Sequence, residues 1–160
     1  MISNKKIILV FLTIAFNSIY CIAQSKMING IEIKVPEELV YQDDIKSFHL
    51  WSNSKKDKVF ILQYFKSSKS DYETRKAPEL DTETTVFIET TTIDILNNKY
   101  DIQINYNEEK GLIMASTFAY RDGYMYNIIY GFPLLEENLD NFAIELIDKS
   151  VYFIKIILTS

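Results

Sequence analysis

The tyrosines between residues 120 and 130 are the side chains of this 160-residue chain best suited to binding chemistry. Tyr120, Tyr124, Tyr126 and Tyr130 lie in one short segment, and Trp51 adds another large ring. A tyrosine joins a broad apolar ring to a polar hydroxyl, which suits surfaces that bind proteins or small ligands. The alternative is that these rings pack beneath a helix. The sequence leaves both interpretations of the five residues open.

Groups for catalysis and metal binding are scarce in this sequence. The chain has one histidine, His49, and one cysteine, Cys21, whereas a zinc site needs several matched ligands. The acidic doublets at 43–44 and 108–109 lack the spacing of a calcium loop, and no glycine-rich phosphate loop is present. His49 leaves a general-base role in a small hydrolase open as an alternative. We expect a non-enzymatic protein that needs no metal and no cofactor.

The charge balance restricts the classes of partner. Lys and Arg number 17 against 22 Asp and Glu, so the formal net charge is −5. A surface this acidic disfavours nucleic acid, whose phosphates are bound by clustered Lys and Arg, and it disfavours anionic membranes. The excess of acid is typical of a well-solvated surface, and it also suits a basic partner. Another protein or a small ligand is therefore the expected partner.

Residues 1–23 have the pattern of a secretory signal peptide. Lys5 and Lys6 form a positive start, an apolar run covers 7–20, and small residues then precede Gln24 at the −3 and −1 positions. We expect cleavage before Gln24 and export to the periplasm or the medium. The remaining chain keeps 15 basic and 22 acidic side chains, a formal net charge of −7.

Two alternatives to a cleaved signal peptide are less consistent with the residues. A membrane anchor needs about 20 apolar residues, and Asn17 and Ser18 interrupt this run before that length. A lipoprotein signal would be cut just before Cys21, where the bulky Tyr20 fits badly. We therefore predict no membrane span after cleavage and one globular domain over residues 24–160.

Alternating and continuous apolar runs predict a mainly antiparallel sheet. Turn residues separate these runs, and the last strands should form a meander of hairpins. Continuous apolar character predicts that 59–65 is a buried strand. Strict alternation predicts that 100–106 is a strand with one solvent-exposed face. The predicted strands cover residues 30–35, 47–51, 59–65, 84–95, 100–106, 112–120 and 124–132.

After Pro133 the apolar period changes to that of a helix. Apolar side chains at helical spacing predict that one face of this helix covers the sheet, and 151–158 either continues the helix or forms a final strand. Residues 66–83 show little periodicity and are predicted to be a long loop. The predicted fold is α+β, an antiparallel meander packed against a C-terminal amphipathic helix. The predicted core stripe is Leu139, Phe142, Ala143, Leu146 and Ile147.

Two segments resemble the Mog1/PsbP-like proteins. The sequence Asn-Gly-Ile-Glu-Ile-Lys-Val-Pro at 29–36 is similar to their opening strand, and 123–130 with 139–150 is similar to their last strand and C-terminal helix. The resemblance implies an α/β/α sandwich around an antiparallel sheet, and binding or assembly rather than catalysis. The chain departs from the family in having no long helical pattern at 66–83. No functional residue of the family is carried over.

These observations together predict an exported, non-enzymatic binding or assembly module. One alternative is an acidic inhibitor or immunity-type protein that masks a basic partner enzyme. The other is a small hydrolase that uses carboxylates or His49.

Overall fold

The computed structural model describes residues 24–75 and 84–160, without the side chains of residues 43–45. The predicted signal peptide at 1–23 and the later part of the predicted loop, 76–83, lie outside the described residues. The elements are β1 (Gln24–Ile28), β2 (Ile31–Val35), β3 (Val40–Ile45), β4 (Phe48–Ser52), β5 (Val59–Lys66), α1 (Lys69–Thr74), β6 (Thr85–Ile95), β7 (Asn98–Asn107), β8 (Leu112–Arg121), β9 (Tyr124–Pro133) and α2 (Phe142–Thr159).

The strands form a β1–β2 hairpin and a seven-stranded sheet with the order β3-β4-β5-β9-β8-β7-β6. Neighbouring strands pair antiparallel throughout. The chain leaves the middle of the sheet after β5 and returns at the far edge as β6, and the meander β6–β9 then closes onto β5. The predicted α+β fold with a C-terminal helix is confirmed, and all seven predicted strands are present.

Two-residue turns close four of the hairpins. In three of them both turn residues have positive φ, as in Asn29–Gly30 (49° and 79°) and Asp122–Gly123 (51° and 82°). This backbone matches the twist of antiparallel strands, and Asn-Gly and Asp-Gly adopt it at low cost. The third of these turns, between β6 and β7, lies at Leu96 and Asn97 (50° and 63°).

One face of the sheet is covered by α2 and the β1–β2 hairpin. Phe153 of α2 stacks on Phe60 of β5, with ring centroids 3.8 Å apart. At the hairpin, the Asn29 side chain donates a hydrogen bond to the Tyr126 hydroxyl (2.6 Å), and Tyr152 of α2 donates to the Lys34 carbonyl (3.2 Å). Helix, hairpin and sheet therefore enclose one apolar core.

The predicted core stripe of the helix is only partly right. Leu139 precedes α2 and is 50% exposed, while Phe142, Ala143 and Ile147 are half-buried and Leu146 is fully buried. The helix continues to Thr159, so three of its five buried residues lie in its second half. The residues of α2 that are buried against the sheet are Leu146, Ser150, Phe153, Ile154 and Ile157.

A short helix, α1, begins inside the segment predicted to be a loop. Ser68 caps it: the Asp71 amide donates to the Ser68 hydroxyl oxygen (3.0 Å), and the Asp71 carboxylate accepts a hydrogen bond in return. This Ser-x-x-Asp capping box was a missed sequence signal. Among the described residues, a second helical layer would consist of α1 alone. None of the described helices combines the length and apolar character that crossing a bilayer requires.

Phe153→Ala should lower the free energy of unfolding by about 3–5 kcal/mol, because it removes a fully buried ring. Phe142→Ala is the matched control, and it should cost less than about half as much because Phe142 is only half-buried. Urea denaturation of the two variants measures the difference. Equal losses would contradict the observed orientation of α2.

Candidate functional site

Three of the five predicted binding residues lie in the core. Trp51, Tyr126 and Tyr130 are each 1% exposed on the covered face of the sheet. Trp51 packs against Phe60, with centroids 5.0 Å apart, and Tyr130 packs near Phe153 at 6.5 Å. Contact of these rings with a ligand would require α2 or the hairpin to move. Their binding role stays a prediction.

Tyr120 and Tyr124 are half-buried and lie on opposite faces of the sheet. Tyr124 meets Tyr64 edge-on, with centroids 5.9 Å apart. Tyr120 pairs in register with Met125, so it points away from the face that carries Tyr126. It stacks on Tyr72 of α1 at 5.6 Å and 26°. Tyr120 is thus the predicted residue that lines an open cleft, and Tyr72, which the sequence analysis missed, is its partner.

This cleft, the β7–β8 cleft, lies where two neighbouring strands separate. The register between β7 and β8 runs from Asn107↔Leu112 only as far as Gln103↔Ser116. Beyond that pair, the start of β7 and the end of β8 diverge, and the Thr117 hydroxyl donates to the Asp101 carbonyl at 2.8 Å. The cleft has a volume of about 620 Å³. Its walls come from α1, β7, β8 and the end of α2.

The β7–β8 cleft carries both aromatic and charged side chains. Two ion pairs neutralise part of its charge, Lys69–Glu73 at 3.7 Å and Arg121–Asp122 at 3.0 Å. Arg121 also donates through Nη1 to the Ile157 carbonyl at 2.8 Å, which fixes it against the last turn of α2. The aromatic residues that line the cleft are Tyr72, Tyr100, Phe118 and Tyr120. Its cationic residues are Lys69, Arg75, Lys99 and Arg121.

Two tyrosine hydroxyls of this cleft are held in the protonated form. Burial raises the pKa of Tyr72 to about 12, with smaller contributions in the same direction from Tyr100, Asp101 and Glu73. Burial also raises the pKa of Tyr100. Both side chains therefore present neutral O–H groups at neutral pH.

A second depression, the acidic groove, runs between α2 and the end of β2. Its volume is about 730 Å³. Ile144, Asp148 and Tyr152 recur every fourth residue and so form one wall along the helix. Ile144 is 60% exposed and Tyr152 is 42% exposed. The side chains that define the groove are Pro36, Glu37, Ile144, Glu145, Asp148 and Tyr152.

Negative charge dominates the acidic groove. Three carboxylates, those of Glu37, Glu145 and Asp148, face one ammonium group, that of Lys149, among the lining residues. An adjoining depression of about 500 Å³ shares Glu145 and adds Glu137 beside the exposed Leu135, but it is also lined by Lys55 and Lys58. Exposed apolar side chains and carboxylates thus occupy the same surface.

The acidic groove is linked to the core through Tyr130. The Tyr130 hydroxyl donates to Oε1 of Glu145 at 3.4 Å. Burial raises the pKa of Tyr130, and the carboxylates of Glu145 and Glu38 raise it further. The phenol therefore stays protonated and helps to hold Glu145 at the groove wall.

His49, the candidate general base, is 6% exposed on the covered face of the sheet. Its ring stacks on Tyr64 at 5.9 Å and 6°, and Nδ1 lies 3.0 Å from the Tyr41 hydroxyl oxygen. This position favours a packing role. Within ranges 24–75 and 84–160, no group of three or more His, Cys, Asp or Glu could hold a metal ion.

The fold is similar to that of two solved structures. One is the solution structure of cyanobacterial PsbP (CyanoP) from Synechocystis sp. PCC 6803, with 10% identity, a TM-score of 0.54, and coverage of 82% of this chain and 91% of that chain. The other is the Saccharomyces cerevisiae Ran-binding protein Mog1p, with 9% identity, a TM-score of 0.48, and coverage of 86% and 94%. No family model and no curated protein matches the sequence. The resemblance to the Mog1/PsbP-like proteins is confirmed at the level of the fold.

Tyr130→Phe should lower the free energy of unfolding by about 1 kcal/mol at about pH 8, because the bond to Glu145 is lost. Above about pH 10 the unfolded wild type loses the Tyr130 proton while the folded protein keeps it, so the wild type is destabilised as pH rises. The variant has no proton to lose at this position. Urea titrations should show that the difference in free energy of unfolding between wild type and variant is smaller at about pH 10.5 than at about pH 8. A constant or larger difference would contradict this expectation.

Proposed function

We propose that the protein is an exported, non-enzymatic binding or assembly module that docks a basic partner protein in the acidic groove. The observation that carries the proposal is the exposure of Ile144 and Tyr152 among the carboxylates of Glu37, Glu145 and Asp148. Exposed apolar side chains within a charged rim are typical of interaction surfaces. The PsbP-like fold supplies the scaffold, and the proposed function rests on the groove.

The chemistry of the groove selects the partner. An apolar wall along α2 can bury apolar side chains of a partner segment. The carboxylates of the groove attract the Lys or Arg residues that flank those apolar side chains in the partner. Opposite potentials speed association and reject acidic competitors. The partner segment is therefore expected to alternate basic and apolar residues. An inhibitor that masks a basic enzyme would use the same groove, and a loss of the partner's activity on binding would distinguish that case.

Export is proposed from the sequence pattern of residues 1–23. Expressed in a bacterium with its own N-terminus, the protein should be recovered outside the cytoplasm with a mature N-terminus within about two residues of Gln24. Ala23→Leu places a bulky residue before the expected bond and should block cleavage. Mass spectrometry of the fractions measures both. An uncleaved wild-type chain in the cytoplasm would contradict the proposal, and a lipid-modified N-terminus at Cys21 would establish the lipoprotein alternative.

A short fluorescent peptide of alternating lysine and leucine should bind the purified protein, and its counterpart with glutamate in place of lysine should not. Raising the salt from about 0.1 M to about 1 M shortens the Debye length from about 10 Å to about 3 Å and should weaken the complex steeply. Fluorescence anisotropy measures both effects. Equal binding of the acidic peptide, or binding insensitive to salt, would contradict a basic partner.

Variants of the groove test its location. Ile144→Gln should weaken peptide binding about tenfold, because an apolar contact worth about 1.4 kcal/mol is removed. Ile88→Gln is the matched control, since Ile88 is exposed on the edge strand β6. Asp148→Asn should weaken binding by about two- to fivefold at low salt, against Asp94→Asn as its control on β6. Equal effects within either pair would place the binding site elsewhere.

A further inference from the structure

We infer that the β7–β8 cleft is a binding site for a small organic anion that carries a planar aromatic ring. This site is separate from the acidic groove and goes beyond the proposed docking function. The inference rests on three features of the cleft: the separation of its two strands, the aromatic rings on its walls, and the pairing of its charges.

The separation of β7 and β8 opens the sheet at one end. Each strand still pairs with its outer neighbour, β6 on one side and β9 on the other. Between 98–102 of β7 and 117–121 of β8, the described residues form no ladder, and the cleft lies beside these stretches. The Thr117 hydroxyl donates to the Asp101 carbonyl there, while Ile102, Thr117 and Ala119 are fully buried. A ligand therefore meets the lining residues at 98–101, 118 and 120–121.

Aromatic rings line the cleft on two sides. The Tyr72–Tyr120 stack joins α1 to β8, with Phe118 on the same strand. Tyr72 is half-buried and remains neutral at neutral pH, so it offers ring surface and an O–H donor without adding negative charge, whereas Tyr100 is only 5% exposed and closes the floor of the cleft from the core. Planar rings pack against such side chains in offset-stacked or edge-on arrangements. The walls therefore suit a flat aromatic group.

Cationic side chains outnumber carboxylates among the lining residues of the cleft, by four to three. Glu73 pairs with Lys69 and Asp122 with Arg121, whereas Asp101 accepts a hydrogen bond from the neutral Thr92 hydroxyl at 2.7 Å. Lys99 and Arg75 form no salt bridge with any residue that the structure describes, although Arg75 lies over the Phe65 ring at 5.3 Å. A carboxylate or similar anion on the ligand would pair with Lys99.

The volume of the cleft sets the size of the ligand. At about 620 Å³ it falls in the range of about 300–1,000 Å³ that is typical of small-molecule sites. An aromatic carboxylate with one or two rings contacts both the aromatic walls and Lys99. An uncharged aliphatic ligand would use neither feature.

Titration with 2-naphthoate tests the site, with 2-naphthylmethanol as the uncharged ring and cyclohexanecarboxylate as the non-aromatic anion. Backbone amide NMR shifts should follow 2-naphthoate binding at Tyr72, Lys99 and Tyr120, and both comparison compounds should bind more weakly. Absence of 2-naphthoate binding, shifts confined to other regions, or equally tight binding of 2-naphthylmethanol would overturn the inference.

Variants separate the two parts of the recognition. Lys99→Gln should raise the Kd for 2-naphthoate about tenfold, whereas Lys155→Gln, at an exposed position on α2 outside the cleft, should leave it unchanged. Tyr120→Leu should weaken 2-naphthoate more than cyclohexanecarboxylate. Because Lys99 is exposed at the start of β7, its variant keeps the fold even if Tyr120→Leu loosens α1. Equal Kd values for the two lysine variants would overturn the inference.

Discussion

The rest of the structure depends on the cover that α2 and the β1–β2 hairpin place over one face of the sheet. The helix lies mainly over β8 and β9, its Phe153 ring stacks on Phe60 of β5, and the Asn29–Tyr126 hydrogen bond ties the hairpin to the same face. An antiparallel sheet of this size is stable only when at least one of its faces is buried. The core, and with it the burial of Trp51, Tyr126 and Tyr130, follows from this requirement.

Both candidate surfaces lie at the borders of that cover. The acidic groove forms where α2 runs beside the end of β2, so one helix buries Leu146 and Phe153 on one side and exposes Ile144 on the other. The β7–β8 cleft forms at the end of the sheet, where the register stops at Gln103↔Ser116. The two surfaces differ in charge, because carboxylates dominate the first and cations slightly outnumber carboxylates in the second. They are therefore suited to different ligands.

Local patterns in the sequence were sufficient for most of the secondary structure. Alternation and turn residues predicted seven of the strands, because side-chain period and turn backbone preferences act within a few residues. Strands β1 and β3 were missed, since polar residues such as Ser25 and Gln42 weaken their apolar pattern. The helix α1 was also missed, although the Ser68–Asp71 capping box marks its start.

The sequence by itself determined most of the elements, the acidic balance and the abundance of tyrosine in β8 and β9. The tertiary structure decided which tyrosines are accessible: the α2 and hairpin cover buries Tyr126 and Tyr130, whereas strand alternation turns Tyr120 toward α1. It also decided the orientation of α2, because burial depends on which residues reach the sheet and not on apolar spacing alone. The two candidate sites join residues far apart in the chain, and such contacts depend on packing rather than on local pattern.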